Sequence, residues 1–164
     1  MDAIEAIKKR TSVRAYKPDP VPRELLEELV DCGRRAPSAM AVNPWQFVVV
    51  TEKAMLGRLA ATTDYGKFIA DAPACIAVLC EDVKYFLEDG CAAVENILLA
   101  AAARGLGACW VAGDKKPYAN TIRDLLGAPA THRLVALLAV GYPASEAQPK
   151  EKPALDQVLH WERY

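Results

Sequence analysis

Two stretches of the chain, Ala74 to Cys80 and Leu134 to Val140, are apolar without a polar interruption. A strand with one wet face would alternate between apolar and polar side chains. A strand without alternation is buried on both faces, and each of these stretches reads that way. The rest of the chain must therefore supply cover for both. One further run is too apolar to lie on a surface: Asp89 to Arg104 is Ala-rich and apolar nearly all round, and Gly105 ends it. A helix of that kind is buried, and in a chain of 164 residues part of it can face a second subunit.

The remaining elements follow in order. Asp2 to Lys9 is a short amphipathic run with Ile4 and Ile7 on one face. Pro22 to Arg35 reads as a helix, with Pro22 at the first turn and Leu25, Leu26, Leu29 and Val30 as its buried stripe. Pro37 stops it. Ala36 to Pro44 is a loop of small residues. Trp45 to Val50 is a β-branched and aromatic strand, and Glu52 to Thr62 a short helix. Tyr65 to Lys67 is a loop. Ala108 to Val111 reads as a strand, Pro117 to Leu126 as a helix, and Leu155 to His160 as a last short helix. Ser145 to Pro153 is polar and irregular. Helices and strands are intermixed, with four or five strands, no repeat and no domain boundary. Length alone suggests one domain, residues 1–164, with one core.

Several function classes are disfavoured. The net charge is −1, and aromatics are not interleaved with Lys or Arg, so nothing calls for nucleic acid. The chain has 5 cysteines, an odd number with no CxxC pair; with no secretory signal visible, they read as reduced thiols of a cytoplasmic protein. No run suits a membrane span. The 2 histidines, His132 and His160, have no partner at metal-ligand spacing. Ser38 lacks a nucleophile elbow, so a triad with His132 is poorly supported. Gly105-Leu106-Gly107 follows a helix, the wrong order for a dinucleotide fingerprint; it reads as a cap and tight turn.

The amino-terminal stretch Lys9-Arg10-Thr11-Ser12-Val13-Arg14 is of more interest. Pro18, Pro20 and Pro22 follow it, so helix is excluded there. In an extended chain Arg10, Ser12 and Arg14 share a face. Two guanidiniums and a hydroxyl on one side suit a phosphate or another polyanionic group. A solvated basic loop explains the same residues.

Four separated motifs, in the same order along nearly the whole chain, resemble those of the FMN-dependent nitroreductase family. They are Arg10 to Arg14 with Pro20 to Pro22; Ala36 to Ala39 running into Asn43 to Val50; Asp71 to Pro73, then Asp89, Glu95-Asn96 and Ala103 to Trp110; and Gly141 to Pro143 with Lys150 to Leu155. The resemblance implies an α+β fold, a central mostly antiparallel sheet flanked by helices, in a homodimer with FMN at the interface. It implies that Arg10, Thr11 (through its backbone), Ser12, Lys150 and Lys152 take the FMN phosphate. Arg14 would lie near the pyrimidine edge, where positive charge stabilises the reduced flavin. Pro37, Ser38, Ala39, Met40 and Asn43 would pack along the ring and ribityl chain. A backbone N–H near Ala112 and Gly113 would face flavin N5.

The implied activity is transfer of hydride from NADH or NADPH, through N5, to a nitroaromatic, a quinone or a similar acceptor in a ping-pong cycle, with no side chain required as catalyst. Two departures stand out. Ala41 and Asn43 occupy places where many members carry Asn and Gln. Lys152 stands where Arg is common, and a lysine cannot form the bidentate fork. The chain is also short, with only Glu81 to Glu88 where longer members carry extra helices over the pocket. A flavin carrier or redox sensor without turnover is the alternative.

Overall fold

The computed structural model describes residues 1–164. In chain order the elements are α1 (Ala3–Lys9), α2 (Arg23–Gly33), β1 (Trp45–Val50), α3 (Lys53–Thr62), β2 (Ala74–Glu81), α4 (Phe86–Ala103), β3 (Gly107–Ala112), α5 (Ala119–Leu125) and β4 (His132–Gly141). Short 3-10 turns lie at Ala39–Ala41, Lys67–Asp71 and Leu155–Gln157. The strands form one antiparallel sheet in the order β1-β2-β4-β3. The helices flank it, as the resemblance implies.

The two unbroken apolar runs become the inner strands, and every residue from Ala74 to Cys80 and from Leu134 to Val140 is buried. Their side chains divide between two clusters rather than the one core expected from length. Ile76, Val78, Leu138 and Val140 pack with α2 and α4 on one face. Cys75, Leu79, Leu137 and Ala139 pack with α3 and α5 on the other. A buried leucine contributes about 1.5–3 kcal/mol relative to an exposed one, so both faces matter to stability. The reason for two clusters is the sheet itself: a strand sends alternate residues to opposite sides, so an all-apolar strand seeds a core on each.

A bulge interrupts the β2–β4 ladder. Val78 pairs with Ala136 but Leu79 pairs with Leu134, leaving Val135 as the extra residue. The Val135 side chain lies 2.6 Å from where a Cβ on Gly90 would stand, so α4 rests on the bulge only because residue 90 has no side chain.

Two expectations need correction, and one helix face behaves unlike that of a usual amphipathic helix. Helix α4 starts at Phe86, one turn before Asp89, because Phe86 and Leu87 also pack against the core. The expected helix at Leu155 to His160 is only the 3-10 turn Leu155–Gln157, since no buried surface supports more. The apolar face of α1 does not meet the core: Ala6 is buried, whereas Ile4 and Ile7 are 61% and 55% exposed. No helix is long and apolar enough to cross a membrane.

Candidate active site

Strand β3 is an edge strand, and the amino-terminal basic stretch lies along its open side. Arg10 leaves α1 with extended backbone angles, φ −55° and ψ 126°. Ser12 then bridges Ala108 in parallel register, and the Val13 N–H donates to the Ala108 carbonyl at 3.0 Å. Val13 faces inward against Gly107, where an added Cβ would come within 2.6 Å of the valine side chain. Any larger residue at 107 would push the stretch off the sheet. Tyr16 pins the other end: its hydroxyl donates to the Val13 carbonyl at 2.5 Å and lies 3.2 Å from the Ala139 carbonyl. Burial pushes the Tyr16 phenol well above its ordinary range, so it stays protonated and keeps donating.

With Val13 buried, Ser12 and Arg14 face outward, and Arg10 is partly buried. The two arginine heads diverge, contrary to the shared direction expected. The Arg10 guanidinium is 3.7 Å from Glu95 on α4. That of Arg14 lies 5.9 Å from the centre of the Phe68 ring, which packs on the opposite face of the sheet. The carboxy-terminal tail returns to the same edge. Gln148 and Pro149 line a groove of about 420 Å³ with Arg10 and Thr11, and the Thr11 hydroxyl reaches the Gln148 carbonyl at 3.5 Å. Lys150 follows directly, and both Lys150 and Lys152 are exposed.

Further along the same strand, Gly113 donates its N–H to the Val135 carbonyl at 3.1 Å, so that amide is taken up within the chain. Antiparallel pairing alternates, so the Ala112 N–H points away from β4 toward the open edge. Of the two amides expected near N5, Ala112 is the one with a free direction.

The loop from Pro37 to Asn43 sits elsewhere. It enters β1, the opposite outer strand, three strand spacings or about 14 Å from β3. Its backbone is unusual: Met40, Ala41 and Asn43 have φ of 53°, 55° and 52°, a left-handed conformation that side chains disfavour. Within it, the Ser38 hydroxyl donates to Asn43 Oδ1 at 2.9 Å and accepts from the Asn43 N–H at 3.0 Å. The Ala39 N–H donates to the Asp89 carboxylate at 2.9 Å. Met40 at the tip is 80% exposed.

The sequence profile of the Nitroreductase family matches residues 7–74 and 60–142. The chain belongs to the nitroreductase family. A provisionally named NADH dehydrogenase/NAD(P)H nitroreductase of Methanothermobacter thermautotrophicus is 36% identical over 150 residues, 88% of this chain and 78% of that protein. Among solved structures, a provisionally named NADH dehydrogenase/NAD(P)H nitroreductase from Bacteroides thetaiotaomicron superposes with a TM-score of 0.94 at 34% identity, covering 99% of this chain and 98% of the other. An FMN-dependent nitroreductase from Clostridium difficile gives a TM-score of 0.90 at 28% identity, covering 98% and 99%. The profile match ends at residue 142, so Lys150 and Lys152 lie beyond it.

For this nitroreductase-family chain, the expected site residues thus fall into two groups. Arg10, Thr11, Ser12, Arg14, Ala112 and the approach to Lys150 gather on the β3 edge. Pro37, Ser38, Ala39, Met40 and Asn43 gather beyond the β1 edge. Lys67, considered as a possible flavin contact, instead donates to the Ala60 and Ala61 carbonyls at 3.2 and 3.0 Å, closing the end of α3. The Ser38 and His132 side chains have separate partners, Asn43 and Thr131, and form no triad. Two residues escaped the sequence reading. Asp89 was noticed only as part of a motif, and Tyr16 was not singled out at all. Asp89 bonds the backbone of Ala39, 50 residues away, and Tyr16 reaches both the nearby Val13 carbonyl and the distant Ala139 carbonyl, contacts for which composition gives no signal.

Proposed function

We propose that this chain is an FMN-dependent oxidoreductase that takes electrons from NADH or NADPH and passes them to a nitroaromatic, a quinone or a related acceptor, working as a homodimer with FMN at the subunit interface. One observation carries the reading: segments from both ends of the chain meet on one open strand edge, where the Thr11 hydroxyl reaches the Gln148 carbonyl of the tail. The names of the relatives, an FMN-dependent nitroreductase and NAD(P)H nitroreductases, agree with it.

The residues suit the group. Arg10 and Ser12, with Lys150 and Lys152 from the tail, would supply a cationic donor set for a phosphate dianion. The outward Ala112 N–H offers a fixed donor to a ring nitrogen. Arg14, held over Phe68, would put a permanent positive charge near the pyrimidine edge. Bound FMN would supply the two-electron chemistry at its N5. The chain binds and orients it, tunes it by charge and leaves one face open; no proton donor is needed for hydride transfer itself.

What the single chain leaves uncovered supports the homodimer. Every residue from Glu151 to Tyr164 is exposed, Leu155 and Trp161 by 71% and 77%. Ile4 and Ile7 on α1 are exposed as well. Apolar surface of this kind is suited to burial against a second copy. A two-fold pair could also bring the Pro37–Asn43 loop of one subunit to the β3 edge of the other, which a single chain holds apart.

Two measurements test the proposal. Purified protein reconstituted with FMN should be yellow, and anaerobic NADH or NADPH should bleach it rapidly. Bound flavin that no nicotinamide bleaches would leave the carrier reading in place and reject the reductase. Sedimentation should give a dimer, and a chain ending at Pro149 should give a monomer.

A further inference from the structure

Asp89 is 5% exposed, in the first turn of α4, beneath the Pro37–Asn43 loop. One of its oxygens accepts the Ala39 N–H at 2.9 Å. The other, Oδ2, is buried and meets no donor of the chain. A carboxylate so placed gains from the amino-terminal end of the helix dipole, but a buried acceptor with no donor opposes folding. A small apolar side chain there would suit the core better. The cluster below, where burial and, secondarily, the nearby carboxylate raise the Cys80 thiol, gains nothing from the charge.

What Asp89 does accomplish is local. The loop above it has Met40, Ala41 and Asn43 in left-handed conformation, unfavourable for Met40 and Ala41 and better tolerated by Asn43. Such a loop holds its shape only where surrounding bonds over-determine it. Internally it has the Ser38–Asn43 pair. The Asp89–Ala39 bond is its side-chain tie to the helical layer. It comes just before the strained residues and from a helix whose position is fixed by the Gly90–Val135 contact.

We infer that Asp89 is a positioning residue for the flavin: through the Ala39 amide it holds the strained loop in the shape that packs along the cofactor. The inference rests on the FMN reading above. The binding loop is thus set by a carboxylate that never touches the ligand, and the stability it forgoes is traded for loop geometry.

The test uses the full chain, stripped of flavin and titrated with FMN by fluorescence quenching. The visible circular dichroism of the bound flavin is recorded alongside. Asp89→Ala should leave the melting midpoint of the apoprotein unchanged or higher, raise the FMN Kd tenfold or more, and alter the visible dichroism. Ala39→Pro approaches the same bond from the donor side: it removes the N–H, and Ser38 at φ −134° and ψ 151° already has the backbone that precedes proline. It should reproduce the effect should Asp89→Ala fail to fold. The double variant should be no weaker than the worse single one, because both remove one bond. FMN affinity and dichroism like those of the wild type in Ala39→Pro and in a folded Asp89→Ala would overturn the inference while leaving the FMN reading intact. Failure of the wild type itself to take up FMN would overturn both.

Discussion

The inner strands β2 and β4 and the outer strand β3 treat their hydrogen-bonding groups and side chains in opposite ways. Between Ala74 and Cys80 and between Leu134 and Val140, every side chain is buried, and each strand has a partner strand on both edges, the bulge at Val135 apart. On β3 one edge is paired only in part, at Ala108, and basic side chains from a distant segment line it. A region whose own chain satisfies every group has nothing left to offer a ligand. One that leaves amides and cations facing outward has capacity to bind. The comparison separates residues that make the fold from residues that use it, and it can be broken at several points.

The largest effect belongs to the inner strands. Leu137→Ala, at a position with no exposure, should destabilise the chain by about 2–5 kcal/mol in urea unfolding. FMN affinity of the protein still folded should not change; a large change there would show that the two regions are not separate. Next comes alkaline pH. Burial pushes the Cys75 and Cys80 thiols up to about 12 from an ordinary 9.0. Their folded pKa lies above the unfolded one, so the unfolded chain loses these protons first. Stability is therefore intact below pH 9 and falls as pH rises toward 12, by about 1.4 kcal/mol per unit for each thiol. Replacing Cys75 with alanine should make the decline shallower, as melts across that range would reveal.

The edge should respond in the opposite sense, in binding more than in stability. Arg10→Ala and Lys150→Ala should each weaken FMN binding by about 1.5–3 kcal/mol, with the exposed lysine at the lower end, while urea midpoints hardly move. FMN titrations unchanged in both would remove the phosphate assignment. Tyr16→Phe tests the join between the regions. It removes a hydroxyl bonded to Val13 and near Ala139, and should lower stability by about 1 kcal/mol and FMN affinity with it. The smallest effect is expected at Lys67→Ala, which removes donors from the end of α3 and should cost about 0.3–1 kcal/mol without altering flavin affinity.

Much of this comparison was legible in the amino-acid order. The unbroken runs at Ala74 and Leu134 announced strands covered on both faces. The Arg10 to Arg14 stretch, walled off by prolines, announced an extended basic segment. What the order did not carry was direction. Alternation predicted that Arg10 and Arg14 point the same way, yet Glu95 and Phe68 draw their heads apart. Nor did it carry distance: the loop at Pro37 and the stretch at Arg10 read as parts of one site, and a single chain sets them on opposite edges of the sheet. Asp89 stood out only as a member of a motif, and only the fold brings Ala39 to it.

The chain's own residues thus determined its elements, the identity of its inner strands and the chemical character of its basic segment. These depend on local patterns of polarity, which act over a few residues. The strand order, the bulge at Val135, the outward turn of the Ala112 amide and the partners of Asp89 and Tyr16 were decided only in three dimensions. They depend on which backbone groups remain unpaired after the sheet has formed, and that follows from packing between segments far apart in the chain.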